Sequence, residues 1–309
     1  MKNGTYYTKS FTEKLFYFFI FCLIGKIIFS GLSYYISLWA FKIDLTHLES
    51  FNNNTIRSYK IAALLDQIGT FLIPSIAFCW FFNKKYNQLL KFQKLKLSTI
   101  IALPLILTIM VISSSFLLEL NHSIDFSFLG NKTMNLIRYN QEKMDEIHQS
   151  FIGTTNKSLL FNFLLMALVP AICEEIAFRG VLQTLLIRWT NNFHIGILIS
   201  SIIFAMLHFQ FYNIIPLLIL VLLLGYTIAI TNNIWSTILL HFTFNSLSII
   251  SIYSKKRGMD LENIITIENS YQNIITLLIC IALLFIFWRK NNLLKKIKQR
   301  SITIYSNNK

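Results

Sequence analysis

Residues 158–189 of the chain read SLLFNFLLMALVPAICEEIAFRGVLQTLLIRW. The stretch is long and apolar enough to cross a lipid bilayer, since a transmembrane helix needs about 20 predominantly apolar residues. Its centre nevertheless holds two adjacent carboxylates and an arginine, in the segment EEIAFR at 174–179. A charge at membrane depth costs about 3 kcal/mol unless it is paired or faces a polar cavity. The stretch therefore predicts a membrane helix that contributes to an interior polar site.

The composition extends this prediction to the whole chain of 309 residues. Hydrophobic residues make up 54% and charged residues 14%, whereas about 25% of the residues are charged in soluble domains. Seven further apolar windows can cross a bilayer: 15–40, 61–82, 97–120, 194–211, 213–231, 234–253 and 271–288. The predicted fold class is an all-α, polytopic integral membrane protein, with about eight transmembrane helices that enclose an intramembrane catalytic cavity.

The net charge of +14 is explained by membrane topology. Basic residues cluster at 2–14, 84–96 and 289–300, and eight crossings place all three clusters on one side. The positive-inside rule makes that side the cytoplasm. We therefore expect a protein of the cytoplasmic membrane with both termini in the cytoplasm and with the bilayer as its partner. Because no basic helix face carries base-reading polar residues, we expect no nucleic-acid partner.

Three regions are predicted along the chain. Residues 1–157 form an N-terminal membrane region of three helices, with an external loop and a polar helix within 121–157. Leu136, Met144, Ile147 and Phe151 are the predicted packing contacts of that helix. Residues 158–253 form the functional helical core, and residues 254–309 contain the last transmembrane helix and a basic cytoplasmic tail.

The two adjacent glutamates, Glu174 and Glu175, are expected to have different roles. Adjacent residues on a helix point about 100° apart, so Glu174 and Glu175 face different surroundings. Arg179 lies four residues after Glu175, on the same helix face, where the two charges can neutralise each other. Glu174 is then left to face something else. A lone buried carboxylate suits a general base or a general acid.

Two further apolar spans supply partners for Glu174. Asn191 marks the turn after this span, and Glu174 and His208 each lie 17 residues from it. In an antiparallel hairpin of continuous helices, this spacing places Glu174 and His208 side by side. His241 and Asn245 lie four residues apart on one face of a later helix, and both side chains can donate hydrogen bonds to an oxyanion. The set contains the parts needed to hydrolyse an amide.

These motifs are similar to those of a known family. Glu174-Glu175-x-x-x-Arg179, Phe204-x-x-x-His208 and His241-x-x-x-Asn245 occur in the order found in the CAAX-protease and bacteriocin-processing family, also called the Abi family. The resemblance covers about residues 158–253. It implies an intramembrane endopeptidase that cleaves a membrane-embedded or membrane-associated peptide or protein.

The resemblance also implies individual roles. Glu174 and His208 activate water, His241 and Asn245 stabilise the oxyanion, and Glu175 and Arg179 support them. No cofactor is expected in this mechanism. Zinc is the alternative, held by Glu174, His208 and His241 with one position left for water. However, the chain has no HExxH helix, and asparagine is a poor zinc ligand.

Other functions remain open at this point. A non-catalytic bacteriocin-immunity or scaffold protein could use the same fold for binding, although loss of Glu174 or His208 would then be expected. A solute or proton transporter could use buried acids as carriers, but the chain shows no paired inverted repeats. No residue pattern predicts the substrate, the cleavage position or an oligomeric state.

Overall fold

The computed structural model describes residues 9–44, 52–82, 90–124, 130–259 and 270–290. Within these ranges the protein forms nine helices joined by turns, and no β-strand occurs there. The helices are α1 (Phe11–Phe41), α2 (Asn53–Phe82), α3 (Leu97–His122), α4 (Asn131–Phe151), α5 (Asn156–Thr190), α6 (Phe193–Leu207), α7 (Ile214–Thr231), α8 (Ile234–Lys256) and α9 (Ser270–Lys290).

Every predicted span coincides with one of these helices, and the prediction of an all-α polytopic membrane protein is confirmed. Six helices are long and apolar enough to cross a bilayer, namely α1, α2, α3, α5, α7 with the short turn before it, and α8. The apolar part of α9, Ile275–Phe285, and the whole of α6 are shorter. The predicted segments 1–8 and 291–309 lie outside the described residues, as do the lysines at 84 and 85.

The predicted span 194–211 is too long at its C-terminal end. α6 ends at Leu207, and Phe209 adopts a left-handed conformation with φ of 53°. A short 3₁₀ turn at Phe211–Asn213 then leads into α7. His208 consequently lies at the end of α6 rather than within it.

α5 is one helix of 35 residues that continues past Pro170. Two wide π-helical segments interrupt its regular turns, at Phe163–Leu168 and Glu175–Leu182. Proline lacks the N–H that a regular turn requires and its ring crowds the preceding turn. The wider turn directly before Pro170 lets the helix continue. The second π segment begins at the acidic pair, and such segments are frequent at functional sites.

The hydrophobic core lies where α2, α3, α5 and α7 meet. Phe78 of α2, Met110 of α3, Val181 of α5 and both Leu224 and Ile228 of α7 are at most 1% exposed. At the edge of this bundle, Lys26 of α1 forms an ion pair with Asp66 of α2. The pair neutralises two charges that would each be costly inside a membrane span.

α5 and α6 form the antiparallel hairpin that the Asn191-Asn192 turn predicted. Asn191 ends α5 in a left-handed conformation with φ of 49°, and the Asn192 side chain accepts hydrogen bonds from the first backbone N–H groups of α6. Gly196 allows the two helices to touch, because a Cβ atom at this position would lie 2.6 Å from the Cα atom of Ile187.

α4 is the helix predicted between the third and fourth spans, and side chains from three membrane helices hold its C-terminal end. Lys60 of α2 and Asn162 of α5 both donate to the carbonyl oxygen of Phe151, at 2.8 Å. Lys256 of α8 donates to the carbonyl oxygens of Gln149 and Ile152, at 2.6 and 2.9 Å. These bonds satisfy backbone acceptors that every helix leaves unpaired at its C-terminus.

The packing prediction for α4 is half right. Ile147 and Phe151 are buried, whereas Leu136 and Met144 are 60% and 50% exposed. The buried apolar contacts of α4 lie at Ile147 and Phe151, and Gln141 farther from this end accepts a hydrogen bond from the backbone N–H of Tyr212 at 3.3 Å.

The Gly196 contact gives a test of the hairpin. Replacement of Gly196 by alanine should lower the unfolding temperature in detergent, because the new methyl group overlaps backbone atoms of Ile187 that cannot rotate away. Overpacking of this kind typically costs about 1–3 kcal/mol. Gly31→Ala in α1 is the matched control, since a Cβ atom there meets nothing within 4 Å. Equal unfolding temperatures for the two variants would contradict the close approach of α5 and α6.

Candidate active site

A cavity of about 460 Å³ opens between α2, α4, α5, α6, α7 and α8. Its size lies within the range of small-molecule and cofactor pockets. The wall contains apolar side chains from α4, α5, α7 and α8 and a group of polar ones: Asp66, Gln67, His148, Glu174, His208, Gln210, His241, Asn245 and Ser248. The four residues predicted to be catalytic from the sequence all line this cavity.

Glu174 lies at the centre of the polar wall. Its side chain is almost completely buried, and its two oxygens have different surroundings. Oε1 accepts a hydrogen bond from Nε2 of Gln67 at 2.8 Å. Oε2 lies 3.9 Å from Nε2 of His208 and 3.9 Å from Nε2 of His241. The equal spacing about Asn191 thus correctly placed Glu174 beside His208.

The hydrogen bonds of the two histidines determine which ring nitrogen carries the hydrogen. Nδ1 of His208 lies 2.8 Å from the carbonyl oxygen of Phe204, and Nδ1 of His241 lies 3.0 Å from Oε1 of Glu175. A carbonyl and an ionised carboxylate only accept hydrogen bonds, so both Nδ1 atoms must donate. In the neutral form, each ring therefore presents the lone pair of Nε2 toward Glu174.

When both histidines are neutral, three hydrogen-bond acceptors therefore face the same point in the cavity: Glu174 Oε2 and the two Nε2 atoms. Glu174 Oε2 and the two Nε2 atoms are too far apart for direct hydrogen bonds at 3.9 Å, and neutral imidazoles have no Nε2 hydrogen to offer. Groups separated by such a distance are often bridged by water. A water molecule has two hydrogens to donate and lone pairs left for attack. The arrangement suits a site that holds and deprotonates water.

Glu175 and Arg179 form the buried ion pair that their spacing predicted. Arg179 Nε lies 3.3 Å from Glu175 Oε2, and both side chains are at most 1% exposed. The other oxygen of Glu175 accepts from His241. Arg179 also donates to the carbonyl oxygen of Val221 at 3.4 Å. The pair therefore orients His241 through Glu175. Neither Glu175 nor Arg179 lines the cavity.

Phe204 connects the ion pair to His208. Its ring stacks on the His208 ring with centroids 4.4 Å apart, and the guanidinium carbon of Arg179 lies 5.0 Å from the centroid of the same Phe204 ring. The backbone carbonyl of Phe204 also fixes Nδ1 of His208. Phe204 thus sets both the plane and the tautomer of this histidine.

Asn245 lies one turn after His241 on α8 and lines the cavity. Its amide makes no hydrogen bond to any other residue of the described part of the chain, so the amide N–H groups are available to a bound molecule. His241 differs, because its Nδ1 already donates to Glu175. It can donate through Nε2 to an oxyanion only when both ring nitrogens are protonated.

The sequence reasoning missed two cavity residues. Gln67 of α2 binds Glu174 directly. The sequence feature that could have identified it is an amide side chain next to Asp66 within an apolar span. His148 of α4 also lines the cavity. Burial lowers the pKa of His148, and the opposing effect of Asp145 is smaller. No sequence pattern marks His148 as a cavity residue, because a histidine on a polar helix usually faces water.

The donor set also allows a test of the zinc alternative. One carboxylate and two imidazoles are ligands that zinc accepts. In the described ranges, however, no group of three or more His, Cys, Asp and Glu side chains is arranged to hold a metal ion.

The buried pair generates a stability prediction. Arg179→Met removes the cation and leaves the Glu175 carboxylate buried, which typically costs about 3–5 kcal/mol. We expect a large fall in the unfolding temperature of the purified protein. The double variant Glu175→Gln with Arg179→Met removes both charges and should recover part of the loss. A double variant that is less stable than Arg179→Met would contradict the pairing.

Comparison with known families agrees with the motifs. Residues 156–247 match the family model of the type II CAAX prenyl endopeptidase Rce1-like proteins. The matched stretch runs from the start of α5 to the middle of α8, and it contains Glu174, His208, His241 and Asn245. The comparisons with curated proteins and with solved structures give no match. Over residues 156–247, the family match confirms the resemblance of this chain to the CAAX-protease and bacteriocin-processing family.

Proposed function

We propose that this integral membrane protein is an intramembrane endopeptidase of the CAAX-protease type, which hydrolyses a peptide bond of a membrane-associated protein or peptide. The observation that carries the proposal is the position of Glu174 Oε2, 3.9 Å from the Nε2 atoms of both His208 and His241 at the wall of the cavity. The family match over residues 156–247 supports the same class of reaction.

In this mechanism Glu174 is the general base. A water molecule donates one hydrogen to Glu174 Oε2 and the other to His208 Nε2. As the water oxygen forms a bond to the carbonyl carbon of the substrate, one proton passes to Glu174 and the carbonyl oxygen becomes an oxyanion. Glu174 then returns the proton to the amide nitrogen, the C–N bond breaks, and the carbonyl re-forms on the new carboxyl group.

Asn245 and His241 stabilise the oxyanion. Asn245 supplies an amide N–H, and His241 supplies Nε2–H in its doubly protonated form. Because Glu175 accepts from Nδ1 of His241, the ring is held with Nε2 toward Glu174 and the cavity. In that form His241 adds one positive charge where negative charge develops.

The basic clusters support an orientation with both termini in the cytoplasm, in the cytoplasmic membrane. In that orientation α4 lies on the external side, where α5 begins and α6 ends. The cavity then extends from the middle of the bilayer toward α4. A substrate segment enters from that side or from the surrounding lipid.

The first prediction for this function concerns Glu174 itself. Glu174→Gln keeps the shape of the side chain and its contact with Gln67 but removes the base. Loss of a general base lowers rates by about 10²–10⁴-fold. We expect a loss of this size in the cleavage of an internally quenched peptide library by purified protein in detergent. Glu119→Gln is the matched control, since Glu119 is an exposed carboxylate on α3, outside the cavity.

Two additions to this assay, a chelator and a measurement of peptide binding, distinguish the metal-free protease from a zinc-dependent protease and from a non-catalytic binding protein. Cleavage that survives the chelator and depends on Glu174 supports the metal-free mechanism. Cleavage that is lost with the chelator and restored by zinc would establish the zinc-dependent version. If wild-type protein binds peptides of the library without cleaving them, the non-catalytic immunity or scaffold function is favoured and the proposed protease activity is contradicted.

A further inference from the structure

Gln67 contacts the proposed general base from outside the stretch that matches the family. It lies on α2, at the last regular turn before the π-helical segment Ile68–Leu72. Its Nε2 atom donates to Glu174 Oε1 at 2.8 Å, across 107 residues of sequence. The bond links two helices and occupies the one Glu174 oxygen that does not face the histidines.

The amide of Gln67 has only one orientation that serves Glu174. Because a carboxylate accepts and does not donate, the NH₂ group must point at Glu174. Gln67 Oε1 is then buried and has no hydrogen-bond partner. A buried unpaired acceptor is unfavourable, and the hydrogen bond to the ionised Glu174 carboxylate offsets this cost.

The consequence for Glu174 is a fixed carboxylate. A hydrogen bond to an ionised acceptor is stronger than one between neutral groups, and it restricts rotation of the carboxylate about its last bond. With Oε1 held by Gln67, Oε2 points into the cavity toward the two Nε2 atoms. Without this donor, either oxygen could rotate toward the histidines or away from them.

We infer that Gln67 is a positioning residue, which holds the Glu174 carboxylate so that Oε2 faces the attacking water. The inference rests on the proposed function and extends the site to α2. Gln67 acts through Glu174, so its loss should reduce kcat and leave KM unchanged. Misplacement of a reacting group by about 1 Å can lower rates by about 100-fold.

The chain contains a matched control for this role. Gln183 of α5 also makes one hydrogen bond between helices, from Nε2 to the carbonyl oxygen of Gly225 at 3.1 Å. Its Oε1 is likewise buried without a partner. Gln183 does not line the cavity. Its replacement removes the same kind of contact without touching Glu174.

The test compares Gln67→Met with Gln183→Met, since methionine is similar in size, adaptable in packing and lacks the amide. The substrate is the quenched peptide that the wild type cleaves best. For Gln67→Met we expect kcat to fall about 10- to 100-fold at unchanged KM. For Gln183→Met we expect unchanged kcat. Equal effects of the two variants on kcat would overturn the positioning role.

A stability measurement tests the contact without relying on activity. Unfolding temperatures are compared for wild type, Gln67→Met, Glu174→Ala and the double variant. Gln67→Met should destabilise the wild type more than it destabilises Glu174→Ala, where the acceptor is already missing. Additive effects would overturn the contact itself. Failure of wild type to cleave any peptide would count against the proposed function, and this cycle would still decide whether Gln67 holds Glu174.

Discussion

Two adjacent carboxylates inside an apolar helix must each find partners, and this requirement organises the rest of the structure. Ionised groups in a low-dielectric interior are tolerated only when they are paired and hydrogen-bonded. Because neighbouring residues on a helix point in different directions, the two carboxylates have different surroundings, and His241 lies between them with Nδ1 on Glu175 and Nε2 toward Glu174. Glu175 points into the bundle, where Arg179 and His241 meet it. Glu174 points to the cavity, where Gln67 and two histidines surround it.

This division explains how a buried ion pair shapes the candidate site without lining the cavity. Glu175 fixes the hydrogen on Nδ1 of His241, and Phe204 fixes the hydrogen on Nδ1 of His208. Both Nε2 atoms are thereby turned toward Glu174. Orienting contacts of this kind determine the tautomer and the geometry of catalytic histidines. The cavity therefore combines a carboxylate, two oriented imidazoles and the amide of Asn245 on one wall.

Much of this arrangement was predictable from local spacing. The four-residue step from Glu175 to Arg179 predicted their pairing, and the symmetric distances about Asn191 predicted that Glu174 meets His208. Both predictions depend on the 3.6-residue repeat, which the wide turns of α5 do not disrupt enough to separate these residues. The end of α6 was not predictable, because no proline or glycine marks the turn at Phe209.

Contacts between distant segments could not be read from the sequence. Gln67 and Glu174 are 107 residues apart, and only the packing of α2 against α5 brings them together. His148 lines the cavity because Lys60, Asn162 and Lys256 hold the end of α4 there. The exposed Leu136 and Met144 show the same limit, since amphipathic spacing does not reveal how much of a helix finds a neighbour.

We expect Glu174 and His208 to hold the attacking water molecule between them. A high-resolution structure of the wild-type protein in lipid, with anomalous data collected at the zinc edge, tests it most directly. The account predicts one water within hydrogen-bond distance of Glu174 Oε2 and of His208 Nε2, without an anomalous signal. An anomalous peak bound by Glu174, His208 and His241 would contradict it, as would a direct hydrogen bond from Glu174 to either histidine that leaves no space for water.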